Sequence, residues 1–176
     1  PARAESRQRA TPERAAAESE AADEHMVVLY LAAPVGERLV GAQLAAAFAR
    51  YGLEHGELGI FHARSGGDGS AARPEPTTDF SIANAVEPGS FDPATMDTLS
   101  TPGVVLFMRV PGPSSPINAF DRMVATARSL GEELGARVLD EKKIPLTRQE
   151  EQHLRDQLRQ AIPSLQRARS SDRSRR

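Results

Sequence analysis

The chain has 176 residues, of which 39% are hydrophobic and 26% charged, and its formal net charge is -2. So even a balance gives no global drive toward nucleic acid or an acidic membrane surface, and the absence of cysteine rules out disulfides and thiol catalysis. No run of about 20 apolar residues is long enough to cross a bilayer, and the N-terminus lacks the basic start and apolar core of a signal peptide.

Residues 1–25 are mostly Ala, Glu and Arg, with no large apolar side chain before Met26. A segment with nothing to bury reads as a disordered linker. The folded part is expected to span residues 26–162. "MVVLYLAA" (26–33) reads as a strand, with Val27, Leu29 and Leu31 on one face and Val28 and Tyr30 on the other. "GAQLAAAFARYG" (41–52) follows as a helix, with Leu44, Ala47, Phe48 and Tyr51 on one stripe and Gly52 placed to end it. "GELGIFHAR" (56–64) and "DFSIANAVEPG" (79–89) are expected strands, separated by a long Gly- and Pro-containing loop over 65–78. A helical turn is expected at 93–96.

"VVLFMRV" (104–110) is bracketed by Pro-Gly pairs and filled with β-branched and aromatic residues, which marks a strand. Val104, Leu106, Met108 and Val110 share one face; Val105, Phe107 and Arg109 share the other. Ser115-Pro116 then suits the start of a helix, in which Phe120, Met123, Val124, Ala127, Leu130 and Leu134 recur at helical spacing up to Gly135. "ARVLDEKKIPL" (136–146) suggests two short strands around a turn near Asp140. Thr147 and Glu150 form a capping box opening a helix with Leu154, Leu158 and Ile162 on one side, and Pro163 is expected to stop it. The Arg- and Ser-rich residues 163–176 read as a short basic tail.

The order is strand, helix, three strands, helix, two short strands, helix. It predicts an α+β fold with about six largely antiparallel strands and three helices. Three amphipathic helices suffice for one face of such a sheet, so the second apolar face of 104–110, and that of 26–33, is expected to lie open as a binding patch. Catalytic chemistry is missing from the inventory. His25, His55, His62 and His153 offer no metal-ligand spacing. "SGGDGS" (65–70) is not followed by the helix that a phosphate loop requires. Ser81 and Ser90 have no base in a recognisable arrangement. The expectation is therefore a non-enzymatic binding module with no metal and no cofactor. A small-ligand regulatory domain and a homodimerisation domain are the alternatives.

The segments "FSIANAVEPGSFDP" (80–93) and "TPGVVLFMRVPGP" (101–113), with "VVLYLAA", "GELGIFHA" and "GARVLDEKKIPLT" in order and at matching spacing, resemble the C-terminal domain of the ZipA family of bacterial cell-division proteins. The resemblance covers roughly residues 26–162. It implies a six-stranded, largely antiparallel sheet of split β-α-β type, with three helices on one face and the other face open. It also implies a monomeric domain that binds the C-terminal tail peptide of FtsZ, the tubulin-like division GTPase, in a shallow apolar groove on that open face. Complete members carry an N-terminal transmembrane helix and a flexible linker, which would place this domain at the cytoplasmic face of the inner membrane at the division site. Motif matching carries the family's groove positions onto Leu31, Leu58, Ile60, Ala83, Ala85 and Phe107, with Glu87 at the rim. Alternation is expected to put Leu58 and Ile60 on one face, and Ala83 and Ala85 likewise. Relatives often have methionine at the positions of Leu58 or Ala85 and lysine at that of Glu87, so this chain departs from the pattern in groove depth and rim charge.

Overall fold

The computed structural model describes residues 24–66 and 75–173. The expected linker up to residue 23 and the middle of the 65–78 loop lie outside the described residues. Strands β1 (His25–Ala32), β3 (Glu54–His55), β4 (Phe61–Ser65), β5 (Thr77–Asn84), β7 (Gly103–Val110) and β8 (Arg137–Leu139) form one sheet in the order β3-β4-β5-β7-β1-β8. Every neighbouring pair is antiparallel. A two-stranded ribbon, β2 (Leu39–Val40) with β6 (Ser100–Thr101), stands beside it. Among the described residues three helices, α1 (Gly41–Arg50), α2 (Pro116–Leu134) and α3 (Arg148–Arg173), complete the α+β fold.

The helices bury their apolar stripes on one side of the sheet. Leu44, Ala47 and Phe48 of α1 and Phe120, Met123, Val124, Ala127 and Leu130 of α2 join Val27, Leu29, Leu31, Phe80, Ile82, Leu106 and Met108 in a single core. Phe48, Phe61 and Phe91 meet edge to face or tilted, with ring centroids 4.8–5.8 Å apart, an arrangement that adds to the gain from burial alone. Gly135 closes α2 in the left-handed conformation (φ 64°), its N–H donating to the Gly131 carbonyl, which is the role of a glycine just past a helix. Thr147 caps α3 as expected, with the Glu150 N–H donating to its Oγ1 at 3.2 Å.

Several boundaries differ from expectation. Pro163 does not end the last helix: α3 runs on to Arg173, and Leu165, 8% exposed, belongs to the core. Proline removes one backbone hydrogen bond, but Leu158 and Leu165 are seven residues apart on one stripe, and burial of the second holds the helix past the break. The stretch expected as a strand over 56–64 is divided, with a 3-10 turn at Glu57–Gly59 ahead of β4. The expected helical turn at 93–96 appears slightly later, as a 3-10 turn at Met96–Thr98. Ser115 precedes α2 without a side-chain capping bond. Of the two short strands expected over 136–146 only β8 forms. It is followed by a turn in which Asp140 Oδ1 accepts from the N–H groups of Lys142 and Ile144, both at 2.9 Å, and Leu139 makes a lone bridge to Pro145.

The open sheet face as candidate functional site

The strand register builds the second face row by row. His62 lies opposite Ser81, Ser81 opposite Phe107, and Phe107 opposite Val28. The next row runs Ala83, Val105, Tyr30, Leu139. Side chains in such rows point the same way. Val28, Tyr30, Val105, Phe107 and Arg109 are all half-buried. Their neighbours in the chain, Val27, Leu29, Leu31, Val104, Leu106 and Met108, are buried under the helices. The alternation is therefore between a covered face and one that none of the described helices covers.

Two shallow depressions mark this face. One, of about 270 Å3, lies over β4, β5 and β7, with Leu58, Ile60, His62, Ser81, Phe107 and Arg109 in its walls. The other, of about 410 Å3, lies over β7, β1 and β8, with Tyr30, Ala85, Glu87, Val105, Leu139 and Lys143 around it. The Lys143 ammonium stands 5.1 Å from the centroid of the Tyr30 ring, a cation–π contact. Both floors are mostly apolar, with charge at the edges.

The turns at the edge are held by buried polar groups. Asn84 is the last residue of β5. Its Oδ1 accepts from the Thr101 hydroxyl at 2.7 Å and from the Val86 N–H at 3.2 Å. The Asn84 N–H donates to the Gly89 carbonyl and the Ala85 N–H to that of Gly103. These bonds fix the turn over residues 85–89, in which the Glu87–Pro88 peptide is cis. On the other side, His62 Nε2 is 3.1 Å from the Glu57 carbonyl and Nδ1 is 2.8 Å from Ser81 Oγ. A carbonyl only accepts, so the Nε2–H donates to it, while Nδ1 shares a hydrogen bond with the Ser81 hydroxyl. The ring thereby pins the turn that presents Leu58, which has φ 60° and is 78% exposed.

The structure brings most of the expected positions together and moves three of them. Phe107 is central, Ile60 and Ala83 are buried at 6% and 7% outside the helix-covered core, and Glu87 is exposed at the rim. Leu31 borders the second depression, but its side chain turns to the other face. It is fully buried in the core opposite Val104, and Tyr30 and Ala32 hold the open side. Alternation along β1 separates the Leu31 side chain from that of Tyr30. Leu58 and Ile60 do not share a face by strand alternation, because Leu58 is in the left-handed turn before β4. Ala85 does not alternate with Ala83, because β5 ends at Asn84; Ala85 is exposed in the turn and reaches the second depression from there. Val28, Tyr30, Val105 and Arg109 were left out of the motif match, yet the period of two in their strands places them here. Among the described residues no cluster of His, Asp or Glu is placed to hold a metal ion, and no helix is long and apolar enough to cross a membrane.

Comparison with known proteins gives this geometry a family. The family described as "ZipA, C-terminal FtsZ-binding domain" matches residues 25–157. Proteins named Cell division protein ZipA are similar over the same region. That of Marinobacter nauticus is 37% identical over 135 residues, covering 77% of this chain and 38% of the relative. That of Colwellia psychrerythraea is 35% identical over 135 residues, 77% of this chain and 34% of the relative. That of Xanthomonas euvesicatoria is 34% identical over 134 residues, 76% of this chain and 53% of the relative. The chain thus spans between about a third and a half of the length of these relatives. By the extent of the family match and the agreement of its relatives, the chain belongs to the ZipA C-terminal FtsZ-binding domain family.

Proposed function

We propose that this domain is a non-enzymatic cell-division adaptor that binds the C-terminal tail peptide of FtsZ across its open sheet face. The reading rests on family membership and on one observation: among the described residues the sheet has helices on a single side, and its other side carries the half-buried ring of Phe107 in the wall of a shallow, mostly apolar depression. A sheet face of this kind, shallow and apolar with charge at its edges, suits a short peptide better than a small molecule, which needs a deep concave site with converging polar groups. Ile60, Ala83 and Phe107 form the floor; Leu58, Ala85 and Glu87 border it. In the longer protein the same contact would link the division ring to the inner membrane through a segment that precedes this domain.

An aromatic anchor at the middle of an interface carries a disproportionate share of the binding energy, about 2 kcal/mol or more when truncated. Titrating a fluorescently labelled FtsZ C-terminal tail peptide with the domain should give saturable anisotropy. Phe107→Ala should weaken it at least tenfold, a loss of about 1.4 kcal/mol, without changing the thermal melt appreciably, because the ring is not part of the helix-covered core. Absence of binding by the folded wild-type domain would refute the reading, and sedimentation of the domain alone would then test whether a second copy covers the face.

A further inference from the structure

Arg109 stands on the open face of β7, two residues beyond Phe107. Its Nε is buried and has no hydrogen-bond partner among the described residues, and Arg109 lines the same depression as Phe107 and Leu58. Buried polar groups in folded proteins are nearly always paired, so an orphan of this kind calls for an explanation.

The local structure explains why the flanking strands supply no partner. Continuing the β5–β7 register past Ser81 and Phe107 would set Asp79 opposite Arg109. A bulge intervenes: Ala63 pairs with Phe80 but Arg64 pairs with Thr78, which leaves Asp79 as an extra residue on β5. Bulges re-aim side chains. Asp79 Oδ2 is instead 2.9 Å from Nη1 of Arg122 on α2, and its Oδ1 accepts from the Ser65 hydroxyl at 2.6 Å. On the other flank Arg109 faces Met26, which carries no charge. The carboxylate that the β5–β7 register would set against it is thus committed to the helix side, and Arg109 Nε is left without a partner among the described residues.

We infer that Arg109 is a charged specificity subsite of this face, whose guanidinium receives the carboxylate of an acidic side chain, Asp or Glu, on the bound peptide. The inference rests on the peptide-binding reading and deepens it. A peptide that covers Phe107 also excludes water from the adjoining guanidinium. The free Nε–H and a neighbouring Nη–H form the planar fork that matches a carboxylate with two parallel hydrogen bonds. A buried, unpaired charge would oppose binding, whereas a paired one selects among peptides that are equally apolar. Phe107 and Arg109 are two strand steps apart, about 7 Å. For a tail lying along β7, the acid is then two residues from the one that covers Phe107 if the tail is extended, and three or four away if it is helical.

The test is an anisotropy titration of wild type, Arg109→Gln and Phe107→Ala with the FtsZ tail peptide, with versions in which each Asp or Glu is changed singly to Asn or Gln, and with a C-terminally amidated version. Arg109→Gln should weaken the unmodified peptide about tenfold. Neutralising one acid should weaken binding to wild type by a similar factor and should leave binding to Arg109→Gln unchanged. The peptide series against wild type alone decides the matter if Arg109→Gln folds poorly. Equal affinity of wild type for every neutralised peptide overturns the inference, as does a tenfold loss on amidation alone, which would assign the carboxylate to the chain end. Phe107→Ala separates the two readings: it should weaken every peptide alike, and its loss together with indifference to the acids would leave the peptide site standing without the charged subsite. Failure of the tail to bind folded wild type overturns both.

Discussion

Glu87 stands exposed in the turn that follows Asn84 and shares a depression with Tyr30 and Lys143. The bonds that hold this turn come from the Asn84 side chain and from backbone groups, so the Glu87 carboxylate is free to act on solvent or on a ligand without a structural duty. At physiological ionic strength such a charge is felt over about 8 Å, and rim charges tune association rate and salt dependence more than net affinity. Glu87→Lys should therefore change the slope of log Kd against log salt for the FtsZ tail peptide and shift Kd at 150 mM salt by less than about threefold. Parallel slopes for the two proteins would show that the rim charge does not reach the ligand. Leu31 shows the opposite situation at the same scale: an apolar residue in a matching motif whose side chain is turned into the core, because one step along a strand reverses the face.

At the scale of elements, the turn Glu57–Gly59 ties function to strain. Leu58 holds φ 60° and ψ 9°, a left-handed conformation that costs a non-glycine residue about 1–2 kcal/mol, yet its side chain is exposed in the wall of the Phe107 depression. Strain of this kind tends to persist where a side chain is needed in a particular place. Leu58→Gly should raise stability in urea by about 0.5–1 kcal/mol, the relief being offset in part by the freer unfolded chain, while weakening the peptide several-fold. A variant both less stable and unimpaired in binding would contradict the assignment. The sequence could not announce this turn, because "GELGIFHAR" alternates well enough to pass for one strand, and no local residue type demands the positive φ at Leu58. By contrast β1, α1, β7 and α2 were legible, since their apolar periods run unbroken between Gly and Pro signals. The length of α3 was not, because Pro163 is a strong local stop signal and only the tertiary burial of Leu165 overrides it. The phase of Leu31 and the unpaired state of Arg109 both depend on register: the first was within reach of alternation, and the second required the bulge at Asp79.

On the scale of the whole molecule, the sheet separates stability from recognition by dividing them between its two faces. The three helices and the aromatic cluster lie on one side with Leu31, Leu106 and Met108; Phe107, Val105 and Tyr30 lie on the other. Leu165 tests that division at long range. It is 8% exposed near the far end of α3 and belongs to the helix-covered core. Deleting a buried leucine typically costs 2–5 kcal/mol, and a position near a helix end, where relaxation is easier, should fall near the bottom of that range. Leu165→Ala is thus expected to lower the unfolding free energy by about 2 kcal/mol in urea denaturation while leaving the Kd for the FtsZ tail peptide within twofold of wild type. Phe107→Ala is expected to do the reverse. Sites on opposite faces of the sheet, one in the helix-covered core and one outside it, should also behave additively, so the double variant should show both losses at their single-variant values. If Leu165→Ala weakened the peptide tenfold in a domain that remained folded, the open face would depend on helix packing on the opposite side, and the sheet would be a coupled element rather than a rigid partition between core and ligand.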